Sequence, residues 1–434
     1  MPPLTRRSFI ALSAAAAATS RQLLAAPHHT DAFTLVATQD RTRILRQAAL
    51  YLHEPPQTLT DFPAPPSPNR PPSPHDFFSE SDYFWPNPAN PTGPYKEIDG
   101  KSNPDNFNGH RRAMIRLSQA CPALTAAFVL TRNKPYAQAA AAHLRAWFIT
   151  PATRMNPNLE YAQGVRNGVH GRSYGIIDTL HLVEVARAAT FLAAFFTPTE
   201  LTTLHQWFRD YLLWLTTSPN GIKERDATNN HSICWSLQAA EFARLINDTA
   251  TLADLRTRFT TIQLPVQMAP NGSFPRELAR TKPYGYSIFN FDCMATLCWS
   301  LSSSLPSNNV ISTGARSAQR RDPRISDPHT APSEPWALNP GPSSLTHFTL
   351  PDGRSICRAA DFLYPYLADK STWPYPHDIQ HWESWPVRSP GLLFCGLACA
   401  HPDYLTLWRN LNPDPTDPEV IRNFPIRQPI LWVA

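Results

Sequence analysis

The feature that most constrains this chain is a run of helix-length amphipathic segments between residues 108 and 303. Leu204, Trp207, Phe208, Tyr211, Leu212 and Leu215 recur at i, i+3, i+4, i+7, i+8 and i+11. That spacing puts all six on one face of an α-helix. Ala140, Leu144, Trp147 and Phe148 repeat the pattern, and further helical segments cover roughly 177–195, 230–247, 250–264 and 287–303. No convincing period-2 strand set interrupts them. Segments of 12–20 residues alternate with turns, the pattern of paired antiparallel helices. A helix with one apolar stripe must bury it against a neighbour, so the expectation is an all-α chain. Helical patterning resumes at about 358–370, 390–400 and 402–411. The Pro/Ser/Arg-rich stretch 304–346 between the two groups therefore reads as a long surface loop in one domain covering residues 80–434.

Residues 53–98 are crowded with proline, which removes backbone donors and excludes regular helix there. Residues 27–79 read as a Pro-rich N-terminal segment. The later part, Tyr83-Phe84-Trp85-Pro86-Asn87-Pro88, carries too many aromatics for a solvated spacer and is expected to pack on or cover something.

At the N-terminus, Arg6-Arg7 with Phe9 and Ile10 precedes an Ala-rich apolar run and a small-residue site at Leu24-Ala25-Ala26. This is the pattern of a twin-arginine export signal over residues 1–26, so a periplasmic or secreted protein is expected. Removing the signal takes away Arg6, Arg7 and Arg21 and no acid, which lowers the formal charge from +5 to +2. A near-neutral mature chain gives no support for nucleic-acid binding. No other apolar run reaches the ~18–20 residues of a membrane span. The seven cysteines (121, 234, 293, 298, 357, 395 and 399) are odd in number and contain no CxxC pair. They read as buried small hydrophobes rather than a disulfide framework or a metal site.

Three polar stretches could carry chemistry. Asn229-Asn230-His231, with Trp235 further along, opens a helical run. One cap requires one Asn, which leaves Asn230 and His231 available. The field of a helix N-terminus disfavours imidazolium and helps keep His231 neutral. Phe274-Pro275-Arg276-Glu277-Leu278-Ala279-Arg280 leads into Tyr284-Gly285-Tyr286. A cation near Tyr286 would stabilise its phenolate and lower its pKa. Asn156-Pro157-Asn158-Leu159-Glu160-Tyr161-Ala162-Gln163 is amide-rich, suited to bonding sugar hydroxyls.

Taken in order, "WPNPANPTGPY" (85–95), "AWFITPATRMNPNLEYAQG" (146–164), "GIIDTLHL" (175–182), "NNHSICW" (229–235), "PNGSFPRELART" (270–281) and "YSIFNF" (286–291) resemble the alginate-lyase family of polysaccharide lyases. The resemblance covers roughly residues 80–300. It implies an (α/α) toroid, an incomplete barrel of antiparallel helix pairs. It also implies cleavage of a uronate-containing acidic polysaccharide, alginate- or polymannuronate-like, by β-elimination, with no cofactor and no metal. Asn230, His231 and Arg280 would bind and neutralise the substrate carboxylate. The interval from Arg280 to Tyr286 is one residue shorter than in the family pattern, so Arg276 is the alternative cation. Tyr286 would be the general acid. It would also be the base if both groups leave from one face of the sugar (mannuronate). His231 would be the base if they leave from opposite faces (guluronate). Substrate-binding positions would be Tyr83, Trp85, Asn158, Tyr161, Gln163 and Glu277, and a lid Lys would be Lys96 or Lys101. A monomer is expected.

Two rival readings remain: a glycoside hydrolase on the same toroid, which needs two placed carboxylates, and a non-catalytic glycan-binding protein. Asp178 and Glu277 are the acids within the matched motifs. The cluster Trp373, Tyr375, His377, Trp382, Glu383 and Trp385 reads as core packing of a C-terminal segment more than as an extension of a cleft.

Overall fold

The computed structural model describes residues 29–66, 69–303, 344–399 and 401–434. The export signal at 1–26 and nearly all of the proline-rich stretch 304–346 lie outside the described residues. Within them, twelve helices carry the architecture: α1 (His29–Tyr51), α2 (Gly109–Thr131), α3 (Lys134–Leu144), α4 (Leu182–Ala189), α5 (Pro198–Thr217), α6 (Pro219–Arg225), α7 (Asn230–Leu245), α8 (Thr249–Arg258), α9 (Pro283–Ser302), α10 (Ile356–Ala368), α11 (Pro390–Ala398) and α12 (Pro402–Asn410).

Contacts sort the helices into two layers. An inner layer runs α2–α4–α7–α9–α11, each packed on the next, and outer helices α3, α5, α8, α10 and α12 back them. This is the all-α toroid of helix pairs. The layers differ in composition for a physical reason. Outer helix α5 buries Leu204, Trp207, Phe208, Tyr211, Leu212 and Leu215, the stripe read from its periodicity. Each such side chain contributes roughly 1.5–3 kcal/mol on burial. Inner helix α9 is covered on every side, so its spacing shows no stripe, and its polar residues Tyr286, Asn290 and Asp292 are buried too. Such groups need partners. Asp292, for example, accepts from the Gly391 N–H at 3.1 Å.

Capping sets where the helices begin. Thr197 and Glu200 form a reciprocal capping box at the start of α5, and the Asn229 side chain caps α7 by accepting from the His231 N–H. α2 is the one helix among the described residues long and apolar enough to cross a membrane, contrary to the sequence expectation that no further run is. Its apolar window is 78% buried inside the protein, as an inner-layer helix requires.

The segment before residue 80 is more structured than its proline content suggests. α1 packs on α2 and on the C-terminal turn Ile430–Val433, with Val36, Ile44 and Ala48 fully buried. The proline exclusion applies only beyond residue 53. Four short strands also occur among the described residues. β1 (Phe78–Glu80) pairs in parallel with β4 (Tyr161–Gly164), and β2 (Phe84–Trp85) pairs antiparallel with β3 (Lys96–Glu97). They leave no periodic trace, because strands of two to four residues are too short to show alternation.

The cysteine reading needs one correction. Cys357 and Cys399 are joined in a disulfide that ties the first turn of α10 to the end of α11. The other five cysteines are free and buried. The pairing is hidden in the sequence because 42 residues separate the partners.

Candidate active site

Two helix N-termini form one wall of the main cleft, whose cavity volume is about 320 Å³. The start of α7 contributes Asn229, Asn230 and His231, and the start of α9 contributes Tyr286 and Phe289, with Arg280 just ahead of it. The facing wall comes from the strap 82–103 (Tyr83, Glu97 and Asp99), from Gln163, Arg172 and Tyr174 around β4, and from Arg422 and Asn423. The structure thus brings together all four residues to which the resemblance gives catalytic roles, along with Tyr83 and Gln163.

The helix wall rests on buried carboxylates. Glu277 accepts from the Asn230 backbone N–H at 2.8 Å and from its side-chain amide at 2.7 Å. Burial raises the Glu277 pKa, against the pull of those Asn230 bonds. The expectation that Glu277 meets substrate is therefore corrected: it lies 1% exposed behind Asn230 and fixes it. Glu224, at the end of α6, is equally buried and sits 2.5 Å from His231 Nδ1. With Nδ1–H donated to Glu224, Nε2 is left as the acceptor. At the head of α9, Asp378 accepts the backbone N–H groups of Tyr284 and Gly285 at 2.8 and 2.9 Å. A side chain at Gly285 would crowd this bond, because a Cβ would lie 2.8 Å from Asp378 Oδ2 and 3.0 Å from Trp385 Nε1.

Tyr286 Oη lies 2.7 Å from Tyr83 Oη, and the Arg280 guanidinium sits 4.5 Å from the Tyr286 ring centroid. The expectation that this cation would lower the phenol's pKa is corrected. Burial raises it, and the opposing effect of Arg280 is smaller. Tyr286 is thus held as a protonated phenol. Arg280 is itself paired with Asp99 of the strap, at 3.1 Å through Nε and 2.6 Å through a terminal nitrogen. Thr281 Oγ1 also donates to Asp99, at 3.0 Å. Of the two arginine candidates, Arg280 lines the cleft and Arg276 is exposed outside it.

Other expected binding residues lie elsewhere. Trp85 donates from Nε1 to the Lys101 carbonyl at 2.9 Å. Tyr161 pairs with Phe78 through the backbone of β4. Asn158 accepts from the Glu160 N–H in a local turn. None of these three lines the cleft, nor do Lys96 and Lys101. Gln163 does, held at φ 49°, with its side-chain amide on Asp178 Oδ1 at 3.1 Å. Asp178 is buried and also bonds Arg111 and Ser79. Neither acid of the hydrolase reading, Asp178 or Glu277, therefore faces the cavity. The cluster 373–385 packs as core only in part: Trp373, 5.0 Å from the Tyr284 ring centroid, and Trp385 are buried, Tyr375 and Trp382 are half-buried, and His377 and Glu383 are exposed. Trp235 is buried beneath the site and donates to the Leu215 carbonyl.

Glu224, Asp99, Arg172, Tyr174 and Arg422 escape the sequence reading. A signal exists for Glu224, seven residues before His231 across the turn joining two helices. In the cleft wall, Arg422 pairs with Asp82 at 2.9 Å and Glu419 at 3.2 Å, and Lys282 pairs with Glu419 at 2.8 Å. Among the described residues no group of three or more His, Cys, Asp or Glu side chains is placed to hold a metal ion.

Comparison with known proteins accords with this geometry. The alginate lyase family model matches residues 61–304. A crystallised alginate lyase from Bacteroides ovatus superposes with a TM-score of 0.70 at 25% identity, covering 93% of this chain and 97% of that one. An alginate lyase A1-III variant complexed with a tetrasaccharide gives a TM-score of 0.47 at 14% identity, over 84% of this chain and 85% of that one. No curated protein sequence matches. With more than half of its length matched by that family model, the chain belongs to the alginate lyase family.

Proposed function

We propose that this polysaccharide lyase cleaves a uronate-containing acidic glycan, alginate-like, by β-elimination in the cleft between α7 and α9. The observation that carries the reading is the convergence of an oriented imidazole, a protonated phenol and an amide–guanidinium pair on one cavity. Abstraction of the C5 proton builds negative charge beside an existing carboxylate. That charge must be met by fixed donors in a low-dielectric site. Asn230, locked by Glu277, and Arg280, locked by Asp99, are such donors. Tyr286 gives its proton to the departing glycosidic oxygen, the role for which its burial suits it.

The base assignment follows from Glu224. A carboxylate on Nδ1 leaves His231 Nε2 free to accept the C5 proton, the logic by which a buried acid orients a catalytic imidazole. This favours departure from opposite faces of the ring, as guluronate requires. A second base assignment needs the Tyr286 phenolate, which Arg280 over the ring favours but which burial, the larger effect, opposes. Tyr286 would then serve as both base and acid on one face, as mannuronate requires. Purified protein given alginate, polymannuronate, polyguluronate and glucuronan, and followed by the ultraviolet absorbance of the unsaturated product, tests the reading and separates the two assignments. Absence of that absorbance with every polymer, from folded protein that hydrolyses one of them, would refute it.

We also propose that the protein works outside the cytoplasm, as a monomer. The twin-arginine pattern supports export, and the Cys357–Cys399 disulfide suits an oxidising compartment.

A further inference from the structure

Three arginines line the cleft, and their charges are met very differently. Arg280 is bound by Asp99 through two nitrogens. Arg422 is bound by Asp82 and Glu419. Arg172 has no carboxylate within ion-pair distance among the described residues. Its Nε donates to the Gln163 carbonyl at 3.1 Å, with a long contact of 3.4 Å from a terminal nitrogen to the Gln163 side-chain oxygen. Its guanidinium lies over Phe84 at 4.5 Å and over Tyr174 at 5.0 Å. Burial pulls its pKa down, and the carboxylate that does most to oppose this through space, Glu97, is too far away to form a pair.

A guanidinium flanked by two aromatic rings, with its Nε edge anchored and its charge unmatched, is a preformed receptor for an anion. Partly desolvated charge is unfavourable until paired, and the planar fork fits a carboxylate through two parallel bonds. The reacting carboxylate belongs at Asn230 and Arg280, beside Tyr286. Arg172 reaches that point only through Tyr174, whose ring lies under the guanidinium at 5.0 Å and meets the His231 ring edge-on at 4.9 Å.

We propose that Arg172 binds the carboxylate of the uronate residue next to the one that reacts, so that the cleft selects glycans with two consecutive uronates over those alternating uronate with neutral sugar. The proposal rests on the lyase reading of the cleft.

The test uses the full-length protein with Arg172→Gln. On a homopolymeric uronate the variant should show a KM raised about tenfold, equivalent to ~1.4 kcal/mol, with kcat within about twofold. Wild-type preference for that polymer over hyaluronan, in which uronate alternates with a neutral amino sugar, should shrink by the same factor. Binding is read separately by calorimetry in a Tyr286→Phe background, whose turnover is too slow to consume the ligand during a titration. In that background a uronate pentamer should bind the protein with Arg172 intact about tenfold more tightly than the protein also carrying Arg172→Gln. Its carboxyl-reduced counterpart should bind both alike. If Arg172→Gln does not fold, Arg172→Lys, which keeps the charge and loses the fork, should give an intermediate KM. An unchanged KM and pentamer affinity, or a loss confined to kcat, would overturn the proposal. Failure of wild-type protein to cleave any uronate would instead count against the lyase reading, and the calorimetric arm would still decide the role of Arg172.

Discussion

The two walls of the cleft are built on different principles. The helix wall presents Asn230, His231 and Tyr286 from the first turns of α7 and α9: Glu277 and Glu224 bond Asn230 and His231 directly, and Asp378 holds the backbone of Tyr284 and Gly285 ahead of Tyr286. The facing wall presents Tyr83, Asp99 and Arg172 from a strap and loops whose regular structure amounts to short strands. Its members are held by ion pairs and ring contacts instead of a helix start: Asp99 by Arg280 and Thr281, and Arg172 by Gln163, Phe84 and Tyr174. The contrast implies a division of labour. Rigid elements place the groups that move protons, where small displacements cost orders of magnitude in rate. The irregular wall supplies charge and grip, which tolerate some play. Substitutions on the helix wall should therefore act mainly on kcat, and those on the strap wall mainly on KM.

The largest effect expected is from Tyr286→Phe. Loss of the proton donor should lower kcat on the order of 10²–10⁴-fold while leaving the thermal midpoint and oligosaccharide binding nearly unchanged. A fall in binding with kcat preserved would erase the distinction between the walls. Next is Glu224→Gln, which should lower kcat on the order of 10²-fold with KM and the thermal midpoint nearly unchanged. A replacement that merely loosened the fold would lower the midpoint instead.

On the strap wall, Asp99→Asn weakens the pair that holds Arg280. This pair is about one-third exposed on each side, and such pairs are worth roughly 0–1 kcal/mol. A change in KM of about threefold or less is expected, with kcat steady. A loss as large as that of Glu224→Gln would mean that the strap is part of the catalytic apparatus.

The smallest effect concerns the interior that supports the helix wall. Burial raises the Asp292 pKa from 3.8 to about 7, against the pull of its Ser389 and Gly391 bonds. The folded chain therefore holds that proton over a range in which the unfolded chain has released it. The associated stabilisation is full below about pH 4 and is lost as pH rises through 7. Asp292→Asn should flatten the dependence of thermal midpoint on pH between 4 and 8. An unchanged slope would show that Asp292 is ionised in the fold.

How far the molecule can be read from its sequence follows the same division. Outer helices are legible because each buries one face and so carries a stripe, as α5 does. The helix wall is legible because polar residues crowded at a helix start exceed what capping needs: Asn229 caps α7, and Asn230 and His231 remain for the cleft. The strap wall is legible only in part: Tyr83 and Gln163 line the cleft as expected, whereas Trp85, Asn158 and Tyr161 do not, and Asp99, Arg172 and Tyr174 are missed. Its key pair, Asp99 with Arg280, joins residues 181 positions apart, and no periodicity links them. The choice between Arg276 and Arg280 likewise depends on which side of one short turn faces the cavity. Glu277 is named for the right place and the wrong task, since sequence proximity to a site does not tell a side chain that meets substrate from one that braces its neighbour.

Elimination rather than hydrolysis in this cleft is the claim on which the rest depends. The most direct measurement is digestion of a cleaved uronate polymer in ¹⁸O-enriched water, with the products read by mass spectrometry. Elimination adds no water, so the products should carry no ¹⁸O and their masses should sum to that of the substrate, with one unsaturated end per cut. Incorporation of one ¹⁸O per cut, with saturated ends, would contradict the claim.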